Sequence, residues 1–406
     1  MPAKSVHQNG LATTNGSTVP ILPQVKEAIL QRVPVPEPTL PTRILRVVIL
    51  LVYFWTSSII IGTTQYIGTP LYLINKDHYY RFMAFTKQCM TLLVLSMTQW
   101  WTTTTIHVSG DESVQDQIHR LPDGHLQCNF ASRMVLISNH QLYNDWIYLW
   151  WTAYINRPFN HGHVYIVLKE SIMYIPLVGL GLRLAGFVFM SRNMKTDTPR
   201  LTRRLGQLTR RSNGGKGALQ PMWLMMFPEG TNLSKNGRAN SVKWAERQGE
   251  RDLKYTLIPR STGTYFCLKA LNGTLEWVYD CTLAYDGVPE GQYGQDIFTL
   301  RSTYFERHPQ APIHMHWRRF KVSEIPLETL EDFHAWLIER WNEKETLLQE
   351  HAKTGQFPSS INQGKSITTE VKLDRWWEIW QLGAVLAPLL AGVFAVSRIF
   401  GQVRSR

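Results

Sequence analysis

Acidic residues are outnumbered in this chain: 31 Asp and Glu stand against 43 Lys and Arg, a formal net charge of +12. A surplus of that size selects for anionic partners, nucleic acid and an anionic membrane surface being the usual two. Cysteine is scarcer still, with four in 406 residues. Cys89, Cys128, Cys267 and Cys281 form no C-x-x-C pair. That argues against a zinc module or a disulfide framework and fits a reducing compartment. The N-terminal stretch has no apolar core followed by a small-residue cleavage site, so a signal peptide is not expected. No G-x-S-x-G sequence occurs anywhere, which removes the elbow that presents a nucleophilic serine. The run NGGKGA (213–218) lacks the spacing of a phosphate-binding P-loop and reads as a flexible loop. There is no internal repeat.

Long apolar runs and tryptophan are plentiful. Fifteen tryptophans occur, several beside those runs, as interfacial aromatics do. Residues 1–43 are polar and end in a cluster of prolines at Pro34, Pro36, Pro38 and Pro41, which predicts a disordered arm. Residues 44–106 are expected to be embedded in a membrane. After Arg46 no charge appears until Lys76, longer than the roughly 20 apolar residues a helix needs to cross a bilayer. Residues 80–103 are a weaker second segment, interrupted by Lys87 and Gln88, and leave open a full span, a re-entrant hairpin or an interfacial helix. A third apolar segment, 378–397, carries Pro388 mid-run and is flanked by Trp376, Trp377 and Trp380 on one side and Arg398, Arg404 and Arg406 on the other. A linker is expected over 356–377. Arg43 and Arg46 favour a cytosolic N-terminus. A hairpin over 44–103 then leaves the central domain cytosolic, on the endoplasmic reticulum, and the C-terminal arginines favour re-entry of 378–397 over a single crossing.

Between these segments, residues 107–355 read as an α/β domain. Strands are expected at 133–138, 163–168, 187–190, 222–227, 255–259 and 278–285, and helices at 142–156, 199–211, 238–248, 262–271 and 328–350. Apolar strands alternating with helices predict a mostly parallel sheet covered on both faces. The basic residues of this domain lack interleaved aromatics, so nucleic-acid binding is not expected, and the apolar segments already account for a basic chain facing a leaflet.

Two short stretches carry the chemistry. In LISNHQLYNDW (136–146) a strand ends and a helix begins at about Leu142, so Asn139 and His140 fall at the carboxyl end of a strand. Open α/β sheets place ligand-contacting groups there. On one continuous helix, residues five apart lie about 140° from each other. His140 and Asp145 therefore meet only if His140 sits at the turn, off the helix. A carboxylate on one imidazole nitrogen then fixes the tautomer and leaves the other nitrogen free to take a proton from a hydroxyl. The second stretch, FPEGTN (227–232), also follows a strand. Glu229 there suits a hydroxyl, and Gly230 lets backbone N–H groups approach a ligand closely.

Taken together and in this order, these elements resemble the glycerolipid acyltransferase family, also called the PlsC-type or lysophosphatidic acid acyltransferase family. The N-H-x4-D motif reads Asn139, His140 and Asp145. G-x-x-F-I-x-R reads Gly186 to Arg192, with Met190 in place of isoleucine. F-P-E-G-T is Phe227 to Thr231, and an apolar run ending in proline is Leu257 to Pro259. The resemblance implies a glycerol-3-phosphate acyltransferase-like α/β fold with membrane segments at both ends. It also implies acyl-CoA as co-substrate, a lysophospholipid as acceptor and no cofactor. His140 would deprotonate the acceptor hydroxyl for direct attack on the thioester, and Asp145 would orient it. Arg192 would hold the acceptor phosphate, while Glu229 and Gly230 position its glycerol part. Asn139, Thr231, Lys169 and Pro259 join them as expected substrate-site residues. Lysophosphatidic acid is the simplest acceptor. Asn232, where many members have an arginine, and the NHQ-x-Y-x-DW form point to the eukaryotic branch, which includes lysophosphatidylinositol and lysocardiolipin acyltransferases. A membrane lipid-binding scaffold without activity is the reading of a different class, and the intact H-x4-D and E-G-T residues count against it.

The arginines of RLTRRLGQLTRR (200–211) fall largely on one helix face, suited to solvent, to CoA phosphates or to an anionic leaflet. His161/His163 and His314/His316 are H-x-H pairs read as lying on strands. A metal needs more ligands than either pair supplies, so none is expected.

Overall fold

The computed structural model describes residues 39–384 and 398, apart from 177, 192, 213–214 and 307–310. The expected disordered arm (1–43) up to residue 38, the expected C-terminal membrane segment beyond 384 and Arg192 thus lie outside the described residues, while residues 40–43 of that arm are helical. Helix α1 (Leu40–Ile67) starts with Pro41 in its first turn, where a missing N–H leaves no helix bond unmade. Leu45, Val48, Val52, Trp55 and Ile59, spaced three and four apart, form an exposed apolar stripe along it. Its other face rests on α2 (Lys76–Thr102), whose first turn is capped by the Asn75 side chain. Gln65 donates to Thr86 Oγ1 at 3.1 Å, Tyr53 and Ser96 share a 2.8 Å bond, and Trp101 donates to the Arg46 carbonyl at 3.2 Å.

A pair of membrane helices is expected from the sequence. Among the described residues one segment, Leu40–Ile74, is long and apolar enough to cross a bilayer. Helix α2 departs from the expectation because it is a packing helix. Met83, Cys89, Leu92 and Leu95 are buried, and Lys87 reaches the Val164 carbonyl at 3.3 Å.

The main sheet contains β1 (Thr105–Gly110), β4 (Arg133–Ser138), β5 (Val164–Lys169), β6 (Val188–Met190), β7 (Met222–Met226), β8 (Trp277–Tyr285), β9 (Ile313–Lys321) and β10 (Ile367–Glu370). The short β2 (Ile118–Arg120) and β3 (Leu126–Cys128) pair separately. The main order is β10-β1-β9-β8-β4-β7-β5-β6. From β8 through β4, β7 and β5 to β6 the ladders are parallel, and β8–β9 and β1–β10 are antiparallel. The mostly parallel α/β expectation holds for the centre of the sheet. There MVLI and MWLMM are buried at every position, as strands covered on both faces must be. Val135, Ile137, Leu224 and Met226 pack with residues of α5 (Met194–Leu208), α7 (Ser261–Leu271) and α8 (Leu330–Thr354). The remaining helices of more than five residues among the described residues are α3 (Asp145–Ile155), α4 (Val178–Leu184) and α6 (Lys235–Gln248).

Three expectations need correction. Residues 255–259 form no strand, because the backbone N–H groups of Tyr255 and Thr256 turn to the Glu345 carboxylate on α8 and that of Ile258 to Ser241 Oγ. The stretch expected as a linker, 356–377, carries β10, which completes the sheet beside β1. His161 and His163 lie in a single 3-10 turn, not on a strand.

Helix α8 is fastened to the sheet by buried charge. Lys344 Nζ lies 2.5 Å from Asp280 Oδ1 on β8 and donates to the Cys281 carbonyl at 2.8 Å. Arg318 on β9 donates to the other Asp280 oxygen at 2.8 Å and also reaches Glu343. Lys344 and Asp280 are wholly buried, so each charge is tolerable only with its partner.

Candidate active site at the carboxyl end of the parallel strands

Strand β4 ends at Ser138, and the next two residues turn toward α3. The Asn139 amide donates to the Leu283 carbonyl at 2.9 Å and accepts from the Leu283 N–H at 2.8 Å, which extends the β4–β8 pairing by one side chain. The His140 carbonyl accepts from Leu233 N–H at 2.7 Å, so the β4 turn is tied to the loop after β7. These bonds leave the His140 ring as the group presented by the turn.

His140 Nδ1 lies 2.8 Å from Asp145 Oδ2. The same oxygen accepts from the backbone N–H groups of Gln141 at 2.6 Å and Leu142 at 3.0 Å, while Oδ1 accepts from the Tyr285 hydroxyl. Asp145 is wholly buried and has a donor at every side. Such a carboxylate is rigid, and it sets Nδ1 as the protonated ring nitrogen. The His140 side chain keeps 18% exposure, so Nε2 faces the open side. Phe227 lies over the ring, with centroids 4.2 Å apart and planes 24° apart. The His140 geometry thus agrees with the spacing argument: the histidine sits off the helix, and the aspartate opens α3.

Phe227 begins the E-G-T turn, closed by Gly230 N–H to the Phe227 carbonyl at 2.9 Å. Gly230 has φ +71°, a conformation that favours glycine. Glu229 is buried, and Trp341 of α8 donates to its Oε1 at 3.3 Å. Burial pushes its carboxyl up to about 8, against the pull of Trp341, the backbone of Leu257 and His140, and Lys344. Near neutral pH the group is therefore largely protonated, a donor as well as an acceptor. Thr231 is partly exposed beside it. Asn232 is buried, and its amide donates to Gln295, so no cation stands at that position. Arg260 takes a neighbouring place. It is exposed, its N–H donates to the Pro228 carbonyl at 2.8 Å, and its side-chain stem passes over Gly230.

Pro259 is buried, as the residue that delivers Arg260 to the turn. Lys169, at the end of β5 beside Met190 of β6, is exposed on the same sheet edge as the strand carboxyl ends. Arg192 lies outside the described residues. The structure thus gathers His140, Asp145, Glu229, Gly230 and Thr231, and leaves Asn139 in a structural bond. The spacing argument missed Tyr285, Trp341 and Arg260. Tyr285 was hidden because its role depends on β8 lying next to β4, a pairing no local pattern encodes.

Most of the basic face of α5 lies elsewhere. Arg204 donates to the Gly186 carbonyl at 2.7 Å, and Gly186 has φ +79° and no room for a Cβ beside that guanidinium. Arg204 and Gln207 line a cavity of about 210 Å³ with Lys87, Arg183, Tyr72, Tyr79, Tyr80 and Tyr165, toward the amino ends of β5 and β6.

Residues 105–279 match the acyltransferase family model, and residues 304–376 match the model of an acyltransferase C-terminus. An uncharacterised acyltransferase of Schizosaccharomyces pombe is 34% identical over 83% of this chain and 93% of its own length. A 2-acyl-1-lysophosphatidylinositol acyltransferase of Saccharomyces cerevisiae is 33% identical over 67% of this chain and 74% of its own. A lysocardiolipin acyltransferase of Danio rerio is 33% identical over 55% of this chain and 54% of its own. With a His–Asp pair at the end of β4, an E-G-T turn beside it and a relative matched over 93% of its own length, this chain belongs to the acyltransferase family and is an O-acyltransferase.

Proposed function

We propose that this enzyme transfers a fatty acyl chain from acyl-CoA to the free hydroxyl of a lysophospholipid at a membrane surface, with lysophosphatidylinositol as the preferred acceptor. The observation that carries the chemistry is the His140–Asp145 pair, with Nδ1 engaged and Nε2 free. Nε2 takes the acceptor's hydroxyl proton as the oxygen attacks the thioester carbon. CoA leaves as the thiolate and takes up that proton, which returns His140 to its neutral form. Asp145 stabilises the imidazolium while it exists. Glu229, Gly230 and Thr231 position the glycerol part of the acceptor. Its phosphate meets the positive charge of Arg260 and, by the family resemblance, of Arg192. Lys169 is placed to meet a CoA phosphate. Asn139 supports the site through its bonds to Leu283.

Two observations favour an acceptor with a larger head group than lysophosphatidic acid. Asn232 is neutral and bonded to Gln295, so charge recognition at that place is relaxed. The yeast relative named for lysophosphatidylinositol aligns over two thirds of this chain. Lysophosphatidic acid is the second reading, favoured by its being the smallest acceptor that the E-G-T turn can hold. The exposed stripe of α1 and the tryptophans Trp376, Trp377 and Trp380, all exposed, suit attachment to an internal membrane such as the endoplasmic reticulum, with the catalytic domain on the cytosolic side.

The test is transfer from labelled oleoyl-CoA by membranes containing the protein or its His140→Ala variant. Lysophosphatidylinositol, lysophosphatidic acid and monolysocardiolipin are offered side by side. A general base contributes about 10²–10⁴-fold, so the variant should fall by that factor on every acceptor. Lysophosphatidylinositol should be the best substrate. Equal rates for the two proteins would remove the base role, and a preference for lysophosphatidic acid would reverse the head-group reading.

A further inference from the structure

One cluster of ligating side chains takes no part in the acyl-transfer site. It joins three segments far apart in the sequence. Asp286 follows the last residue of β8, His314 lies in β9 opposite Ala284, and His351 is in the last turn of α8. His314 Nε2 is 3.1 Å and His351 Nε2 3.6 Å from the same oxygen, Oδ1 of Asp286. All three ligand atoms lie within 4.8 Å of one another. The imidazoles are 5% and 8% exposed, and neither Nε2 makes a well-directed hydrogen bond. Phe357 packs over both rings, with centroids 6.3 and 5.0 Å away.

Neither protonation state suits this arrangement well. If both histidines are neutral, Oδ1 can accept from two N–H groups, yet neither Nε2 is well directed toward it. If both are charged, two buried cations with ring centroids 4.4 Å apart share a single carboxylate, and His107 stacks on His314 at 4.6 Å besides. A divalent cation between the three atoms resolves the conflict. It takes a lone pair from each nitrogen and neutralises the oxygen. Tetrahedral zinc, with bonds of about 2.0–2.1 Å to nitrogen and oxygen, sets neighbouring ligand atoms about 3.3 Å apart. The two measured separations, 3.1 and 3.6 Å, fall on either side of that value.

We propose that Asp286, His314 and His351 bind a divalent transition metal of the zinc class, with water in the fourth position. Two imidazoles and one carboxylate suit zinc better than calcium or magnesium, which prefer oxygen ligands. His316, two residues along β9, is not part of the set, because its Nδ1 is bonded to Ser109 at 3.1 Å. The H-x-H pair on β9 therefore supplies one ligand, and the other two come from segments that only the fold brings near. The metal would staple the end of β8 to α8. That end carries Tyr285, whose hydroxyl holds Asp145. The proposal stands apart from the choice of acceptor.

The full-length protein, purified in detergent and stripped with a chelator, is titrated with Zn2+ and separately with Co2+. The expected result is stoichiometric zinc by elemental mass spectrometry, a rise in Tm on adding zinc, and visible d–d absorption from bound Co2+. His316→Ala should keep all three, and His351→Ala should lose them. The Co2+ spectrum of the unaltered protein gives the answer even if His351→Ala fails to fold. Absence of that absorption, or equal zinc retention by a folded His351→Ala protein, overturns the proposal.

Discussion

At the scale of single residues, the site pairs a wholly satisfied carboxylate with an unsatisfied one. Asp145 accepts from a ring, two backbone N–H groups and a phenol. Glu229, equally buried, has the Trp341 indole on Oε1 and a second oxygen without a hydrogen-bond partner. That difference has a consequence for stability. A carboxyl raised from 4.5 to about 8 in the folded chain holds more protons folded than unfolded between those values. Stability from this group is therefore full at the acid end and declines as pH rises toward about 8. Glu229→Gln is expected to flatten that decline, seen as Tm against pH in detergent. An unchanged slope would mean the carboxyl is ionised throughout. His140 and Asp145 were legible because a strand end, a turn and a helix start can each be read locally. Tyr285 and Trp341 were not, because each acts from an element more than a hundred residues away in the chain.

At the scale of elements, α8 does the positioning. It brings Trp341 to Glu229, Glu345 to the backbone of residues 254–256, and Lys344 to Asp280. The expected strand at 255–259 failed for this reason: its apolar pattern is real, but its N–H groups are taken by a helix side chain before a neighbouring strand can pair with them. The parallel centre was legible because MVLI and MWLMM are too uniformly apolar for a strand with a wet face. Lys344→Met should destabilise the protein by about 3 kcal/mol, the low end for breaking a buried pair, because Arg318 still faces Asp280. Chemical denaturation in detergent measures this. A change below about 1 kcal/mol would place the charges in a wetter setting than their burial implies.

At the scale of the whole molecule, the apolar stripe of α1 is exposed and not covered by any described protein group. The sequence offered α1 and, more weakly, α2 as membrane-embedded helices. They differ because α2 spends its apolar residues on the domain, which a count of hydrophobic residues cannot register. Val48→Lys and Val52→Lys together should move the protein from the carbonate-resistant membrane pellet to the extractable fraction. Continued resistance would assign the anchoring to another segment.

The edge of the sheet has a consequence for how the chain is made. Strand β1 is the first of the catalytic domain to leave the ribosome, yet both its partners, β9 and β10, are among the last. Until residue 321 has emerged β1 has two open edges, and until residue 370 it keeps one. The nascent enzyme must therefore hold its earliest strand incompletely paired for most of its synthesis. Chain termination anywhere before β10 leaves that edge exposed to aggregation.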